Sequence, residues 1–82
     1  MKVVEHSKFN IYVYPNDHPP VHCHVRYNDD SDVSVDLPMI VPRYGAKISR
    51  ETVKTIEDNL DKLINIWEEL NKSFKTSIKK KK

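Results

Sequence analysis

A single cysteine, Cys23, stands among 82 residues, so no intramolecular disulfide can form and a reducing compartment is the default. Apolar runs are short throughout, far below the roughly 20 residues of a membrane span. Met1 to Phe9 offers Val3 and Val4 and no continuous apolar stretch, so no signal peptide is expected. Together these absences predict a cytoplasmic protein without a membrane segment. Internal repeats are missing as well, and the only low-complexity stretch is Lys79 to Lys82.

What is present is highly charged. The formal net charge of +2 conceals a division: residues 1–78 carry ten positive and twelve negative side chains, and residues 79–82 are all lysine. The body is mildly acidic, and the basic character sits in a tail expected to be disordered. Such a tail is a solvated end or an electrostatic arm for nucleic acid whose binding falls with added salt. A chain this short makes one domain, expected over residues 1–78, with a thin core. Self-association would enlarge that core, so a homodimer or a partner protein is a reasonable expectation.

Period-two alternation marks the first half as sheet. Phe9, Ile11 and Val13 alternate with Asn10, Tyr12 and Tyr14. After a turn-rich stretch from Pro15 to Pro20, Val21, Cys23, Val25 and Tyr27 alternate with His22, His24 and Arg26. Asn28-Asp29-Asp30-Ser31 reads as a hairpin turn, and Val33, Val35 and Leu37 supply the inner face of a third strand. Residues 38–47 combine Met39, Ile40 and Val41 with two prolines and the only glycine, Gly45, which suits a short edge strand or an irregular connection.

From Ser49 the period changes. Ser49 is a cap, Glu51 suits the positive first turn, and Ile48 can staple against Val53. Val53, Ile56, Leu60, Leu63, Trp67, Leu70 and Phe74 then recur at steps of three and four. One helix from about Arg50 to about Thr76 would be roughly 40 Å long, against roughly 20–23 Å for the strands. Trp67, Leu70 and Phe74 can therefore extend beyond the sheet, met by residues 39–44 or by a second subunit in a coiled-coil-like seam. A single helix lying on the small sheet is the simpler reading. The fold class is α+β: a three- to four-stranded antiparallel meander followed by one long C-terminal helix on one sheet face.

Three of the four histidines fall within seven residues, in Asp17-His18-Pro19-Pro20-Val21-His22-Cys23-His24. Imidazole transfers protons near neutral pH and is the commonest metal ligand. If the helix covers the Cys23 face, Tyr12, Tyr14, His22, His24, Arg26, Ser34 and Asp36 share an open face, and Cys23 points into the core. That face suits RNA: His22 or His24 as acid or base, Arg26 for the phosphorane charge, Tyr12 or Tyr14 as proton donor or stacking surface. If the protein is an enzyme, it is a ribonuclease. Without catalysis, the same rings suit single-stranded nucleic acid or a protein partner. A different chemistry uses His18, His22, His24 and Asp17 as ligands to a divalent metal such as zinc. In the remaining reading these are ordinary surface residues, with the two strand histidines pairing with Asp36.

Phe9-x-Ile11-x-Val13-x-x-x-Asp17-His18-Pro19-Pro20-x-His22-x-His24-Val25, followed by a meander and Leu63-x-x-x-Trp67, resembles the small prokaryotic family known as domain of unknown function 4160, over roughly residues 8–72. The resemblance implies a stand-alone protein encoded beside a second small protein, in a toxin–antitoxin-like arrangement. It implies Asp17, His18, Pro20, His22 and His24 as the site and Trp67 as a helix anchor. Val41-Pro42-Arg43-Tyr44-Gly45 departs from the glycine-leucine-proline run of many relatives. The expected function is thus a toxin–antitoxin-type protein that binds or cleaves RNA, the alternatives being a metal-binding module and a non-catalytic interaction module.

Overall fold

The alternating segments pair in sequence order. In a computed structural model, which describes residues 1–15 and 18–71, the strands are β1 (Lys2–Glu5), β2 (Phe9–Tyr12), β3 (His22–Tyr27), β4 (Asp32–Asp36) and β5 (Val41–Pro42). They form one antiparallel sheet in the order β1-β2-β3-β4-β5. A 3-10 turn, Arg43–Gly45, follows β5, and helices α1 (Arg50–Asp58) and α2 (Leu60–Leu70) complete the described chain.

The sheet is thus one strand wider than the meander expected from the alternation, with the short edge strand at β5 in place. The additional strand, β1, hides its period because Val3 and Val4 are consecutive. Its register shifts between Lys2 and Val4, so one residue is added to the strand and the alternation breaks there. The β3–β4 hairpin turns where Asn28 to Ser31 predict it. Asp30 takes the left-handed φ of 71° that aspartate tolerates, and the Asp29 carboxylate accepts from the Ser31 amide at 2.9 Å and hydroxyl at 2.6 Å. Those two bonds hold the Asp29 carboxyl below its usual pKa.

Phe9, Ile11, Val13, Cys23, Val25 and Val35 are fully buried on the helix side, where Ile56, Leu63 and Trp67 meet them. Cys23 lies in the core as its place in the alternation predicts, and burial pushes its thiol up to about 12.

Two features of the expected helix are corrected. It is two helices and not one, because Asn59 leaves helical geometry at φ −117° and ψ 16°. Its side-chain amide donates to the Thr55 carbonyl at 2.8 Å, an insertion into the backbone ladder of the kind that bends helices. The buried stripe is also shifted, running Thr52, Ile56, Leu63, Trp67 and Asn71, while Val53 is only half-buried. Thr52 occupies the place expected of Val53 because its hydroxyl has partners: Tyr27 Oη at 2.7 Å and Ser49 Oγ at 2.9 Å. Ser49 caps α1 as predicted, accepting from the Thr52 amide at 3.1 Å.

Trp67 lies in the core and does not project past the sheet. Trp67 is buried against the chain itself, with its ring 6.5 Å from that of His22. Of residues 39–44, Ile40 packs against the core, while Met39, Val41 and Tyr44 are exposed. Phe74, Thr76 and the lysine tail lie outside the described residues, as do Asn16 and Asp17.

Candidate functional site

The antiparallel register fixes what shares the face opposite the helices. Tyr12 of β2 lies opposite His24 of β3, which lies opposite Ser34 of β4. Two residues along, Asn10, Arg26 and Asp32 form the neighbouring row, and on the other side His22 lies opposite Asp36. Adjacent rows stand roughly 7 Å apart at the strand rise. Tyr14, just past the end of β2, returns its ring to this group.

The rings form a chain of contacts. Tyr12 and Tyr14 stack with centroids 5.9 Å apart and planes within 11°. Tyr14 meets His24 at 4.9 Å and 60°, and His24 meets His22 edge-on at 5.0 Å. Tyr12, Tyr14 and His24 are each half-buried, so part of each ring system faces solvent. His24 Nδ1 lies 3.4 Å from the Ser34 hydroxyl. Arg26 is exposed and forms no ion pair among the described residues, although Asp32 lies opposite it. At the far side of the face, Arg43 Nε donates to Asp36 at 2.7 Å, so Asp36 is engaged by an arginine.

One expected member of the open face is not open. His22 is only 4% exposed. It starts β3, directly after the proline loop, and its Nδ1 donates to the Pro20 carbonyl at 2.8 Å, which fixes the ring inward beside Trp67. A carbonyl only accepts, so the proton of this bond sits on Nδ1. Strand alternation alone placed His22 with His24; the short local bond back to Pro20 and the indole of α2 account for its burial.

His18 is exposed in the loop, after the undescribed Asp17, and the Pro19–Pro20 peptide is cis. Among the described residues, no three His, Cys, Asp or Glu side chains gather in an arrangement that could hold a metal ion. The proposed ligand set His18, His22, His24 and Asp17 includes one residue outside that description.

One residue that supports the face escaped the motif reading. Asn71, almost fully buried at the end of α2, donates from Nδ2 to the Trp67 carbonyl at 2.9 Å and to the Tyr14 carbonyl at 3.2 Å. It ties the end of the helix to the backbone that carries the Tyr14 ring. Its only sequence signal is position: it continues the four-residue spacing from Leu63 and Trp67. Trp67 acts by packing, since its buried indole Nε1 makes no hydrogen bond among the described residues.

The arrangement offers a partly exposed aromatic surface and, beside it, the Arg26 guanidinium, which forms no ion pair among the described residues. It offers one half-exposed imidazole, His24, with a second imidazole buried behind it. Among the described residues no helix is long and apolar enough to cross a membrane. Comparison with curated proteins and with solved structures finds no match. A family model does match, across residues 8–68, which takes in β2 through most of α2 and leaves β1 and the lysine-rich end outside. The chain belongs to the family described as domain of unknown function (DUF4160).

Proposed function

We propose that this protein binds single-stranded RNA, stacking bases on the Tyr12, Tyr14 and His24 rings while Arg26 contacts phosphate. The observation that carries the reading is the stacked Tyr12–Tyr14 pair continued by His24 on a half-exposed sheet face. Unstacked bases are recognised on such surfaces, because every base has a π-face and aromatic stacking is tolerant of sequence. The toxin–antitoxin-type role implied by the family resemblance is compatible with a small RNA-binding protein.

Binding without cleavage is favoured. General acid–base cleavage of RNA needs two groups that reach the 2′-hydroxyl and the leaving oxygen. His22 is buried and bonded to Pro20, which leaves His24 as the accessible imidazole of the pair. The lysine-rich end supplies attraction for phosphate: residues 72–82 contain six lysines and no acidic residue. It offsets the acidic body, which on its own would repel a polyanion.

Fluorescence anisotropy with fluorescein-labelled 12-nucleotide oligo-U tests the reading. Each stacked base is worth about 1–3 kcal/mol, so the Tyr12→Ser/Tyr14→Ser variant is expected to bind at least tenfold more weakly than the native protein. Equal affinity of the two proteins, or no binding at low salt, would overturn it. Gel analysis of the same oligonucleotide is expected to show it intact; cleavage that disappears in His24→Ala would replace binding with catalysis.

A further inference from the structure

The segment between β4 and α1 differs from the rest of the chain in both charge and exposure. Residues 38–50 contain Arg43, Lys47 and Arg50 and no acidic residue, whereas the rest of residues 1–71 holds all twelve acidic side chains and five basic ones. Within six positions of this segment, Met39 is 79%, Val41 51% and Tyr44 97% exposed. In a chain with so small a core, three large apolar side chains held in water by one short segment are a feature to be explained.

The backbone shows that they are held there. Ile40 and Tyr44 both occupy the left-handed region, at φ 60° and 61°, a conformation disfavoured for a β-branched and for a bulky aromatic residue. Ile40 packs against the core, which turns its neighbours Met39 and Val41 outward. Arg43 is anchored to Asp36 at 2.7 Å, and the Ala46 amide donates to the Arg43 carbonyl at 3.1 Å. The turn is therefore pinned on both sides of Tyr44. Strain of this kind persists where surrounding contacts impose it, and it clusters at places that grip a ligand or a partner.

We infer that residues 38–50 form a docking surface for a segment of a different protein that combines acidic side chains with apolar anchors. Charge complementarity selects the acidic character: Lys47 and Arg50 are exposed on the same segment as the apolar group, on a body that is otherwise acidic. The side-chain types select a protein, since tyrosine, methionine and arginine are enriched at protein interfaces. Met39 and Val41 offer a nucleic acid neither a stacking surface nor a hydrogen bond, and Arg43 is already bound to Asp36.

A second copy of this chain fits less well. A two-fold contact through this patch sets Arg43, Lys47 and Arg50 against themselves. A head-to-tail contact with another copy's acidic surface does not close, and produces open chains of subunits. The docking surface is separate from the Tyr12, Tyr14 and His24 rings and does not depend on their binding RNA.

Panning a phage-displayed library of random 12-residue peptides on the full chain tests this, with Met39→Ser/Tyr44→Ser used for counter-selection. Recovered peptides are expected to combine Asp or Glu with aliphatic or aromatic residues. Synthesised and titrated, they are expected to bind at least tenfold more weakly to Met39→Ser/Tyr44→Ser and to Lys47→Glu/Arg50→Glu, and equally well to Tyr12→Ser/Tyr14→Ser. All these substitutions lie at exposed or half-exposed positions, and far-UV circular dichroism verifies each fold. Three results would overturn the proposal: no peptide that prefers the native chain, self-association abolished by Met39→Ser/Tyr44→Ser, or oligo-U binding lost in that variant. The last would assign the segment to RNA, and loss of oligo-U binding only in Tyr12→Ser/Tyr14→Ser leaves the docking surface intact.

Discussion

Replacing Thr52 by valine keeps the shape of a fully buried side chain and deletes one oxygen, the one on which two other hydroxyls converge. Thr52 Oγ1 lies 2.7 Å from Tyr27 Oη and 2.9 Å from Ser49 Oγ, so it links the sheet, the cap and the first turn of α1. A net hydrogen bond is worth about 1 kcal/mol, and a partner left buried without one costs about 1–3 kcal/mol more. Thr52→Val should therefore cost about 2–3 kcal/mol. Tyr27→Phe leaves Thr52 its bond to Ser49 and should cost about 1 kcal/mol. The double variant should lose less than the sum, by about 1 kcal/mol, since the Tyr27–Thr52 bond can be removed only once. Against a total stability of about 4–12 kcal/mol for a domain of this size, these are large effects. Urea unfolding followed by the emission of Trp67, the only tryptophan and 3% exposed, measures them. Val53→Ala is the control. Val53 is half-buried and alanine is the better helix former, so its cost should stay below about 1 kcal/mol. Additive losses in the cycle, or a Val53→Ala cost above that of Thr52→Val, would refute the placement of α1.

The remaining expectations concern the core, the thiol and the tail. Leu63→Ala, at a fully buried position beneath the sheet, should cost about 2–5 kcal/mol by urea unfolding, and Leu60→Ala, half-buried, clearly less. Cys23 should resist iodoacetamide at pH 8 in the folded protein and react readily in urea, because burial pushes its thiol up to about 12. The unfolded chain ionises that thiol near pH 9 while the fold keeps it protonated, so this contribution to stability is intact below pH 9 and declines between about pH 9 and 12. Stability unchanged across that range by urea titration would contradict the burial. Removing Lys79 to Lys82 should reduce the salt dependence of oligo-U affinity by about 0.7 in logarithmic slope for each lysine that contacts phosphate.

Elements whose signals are local were legible in the sequence. The β3 alternation, the Asn28–Ser31 turn and the Ser49 cap each depend on neighbouring residues only, and each stands where the residues indicate. Cys23 in the core followed from the same alternation. The rest depended on partners distant in sequence. Thr52 replaces Val53 in the buried stripe because Tyr27, 25 residues away, satisfies its hydroxyl, which no count of apolar residues registers. The β1 bulge erased the alternation of Val3 and Val4. Asn59, ordinary by composition, breaks the helix by bonding back to Thr55. Of the site, the shared row of Tyr12 and His24 was legible from two strands in register. The burial of His22 was not, because it needs the indole of Trp67, 45 positions along the chain.

The most direct measurement is a titration of the isotope-labelled full chain with oligo-U, followed by ¹H–¹⁵N amide and aromatic ring resonances. Saturable shifts are expected at Tyr12, Tyr14, His24 and Arg26, with the rings moving in the direction of base stacking and residues 38–45 unmoved. Shifts confined to the lysine-rich end, or a spectrum unchanged at millimolar oligonucleotide and low salt, would contradict RNA recognition by the ring face.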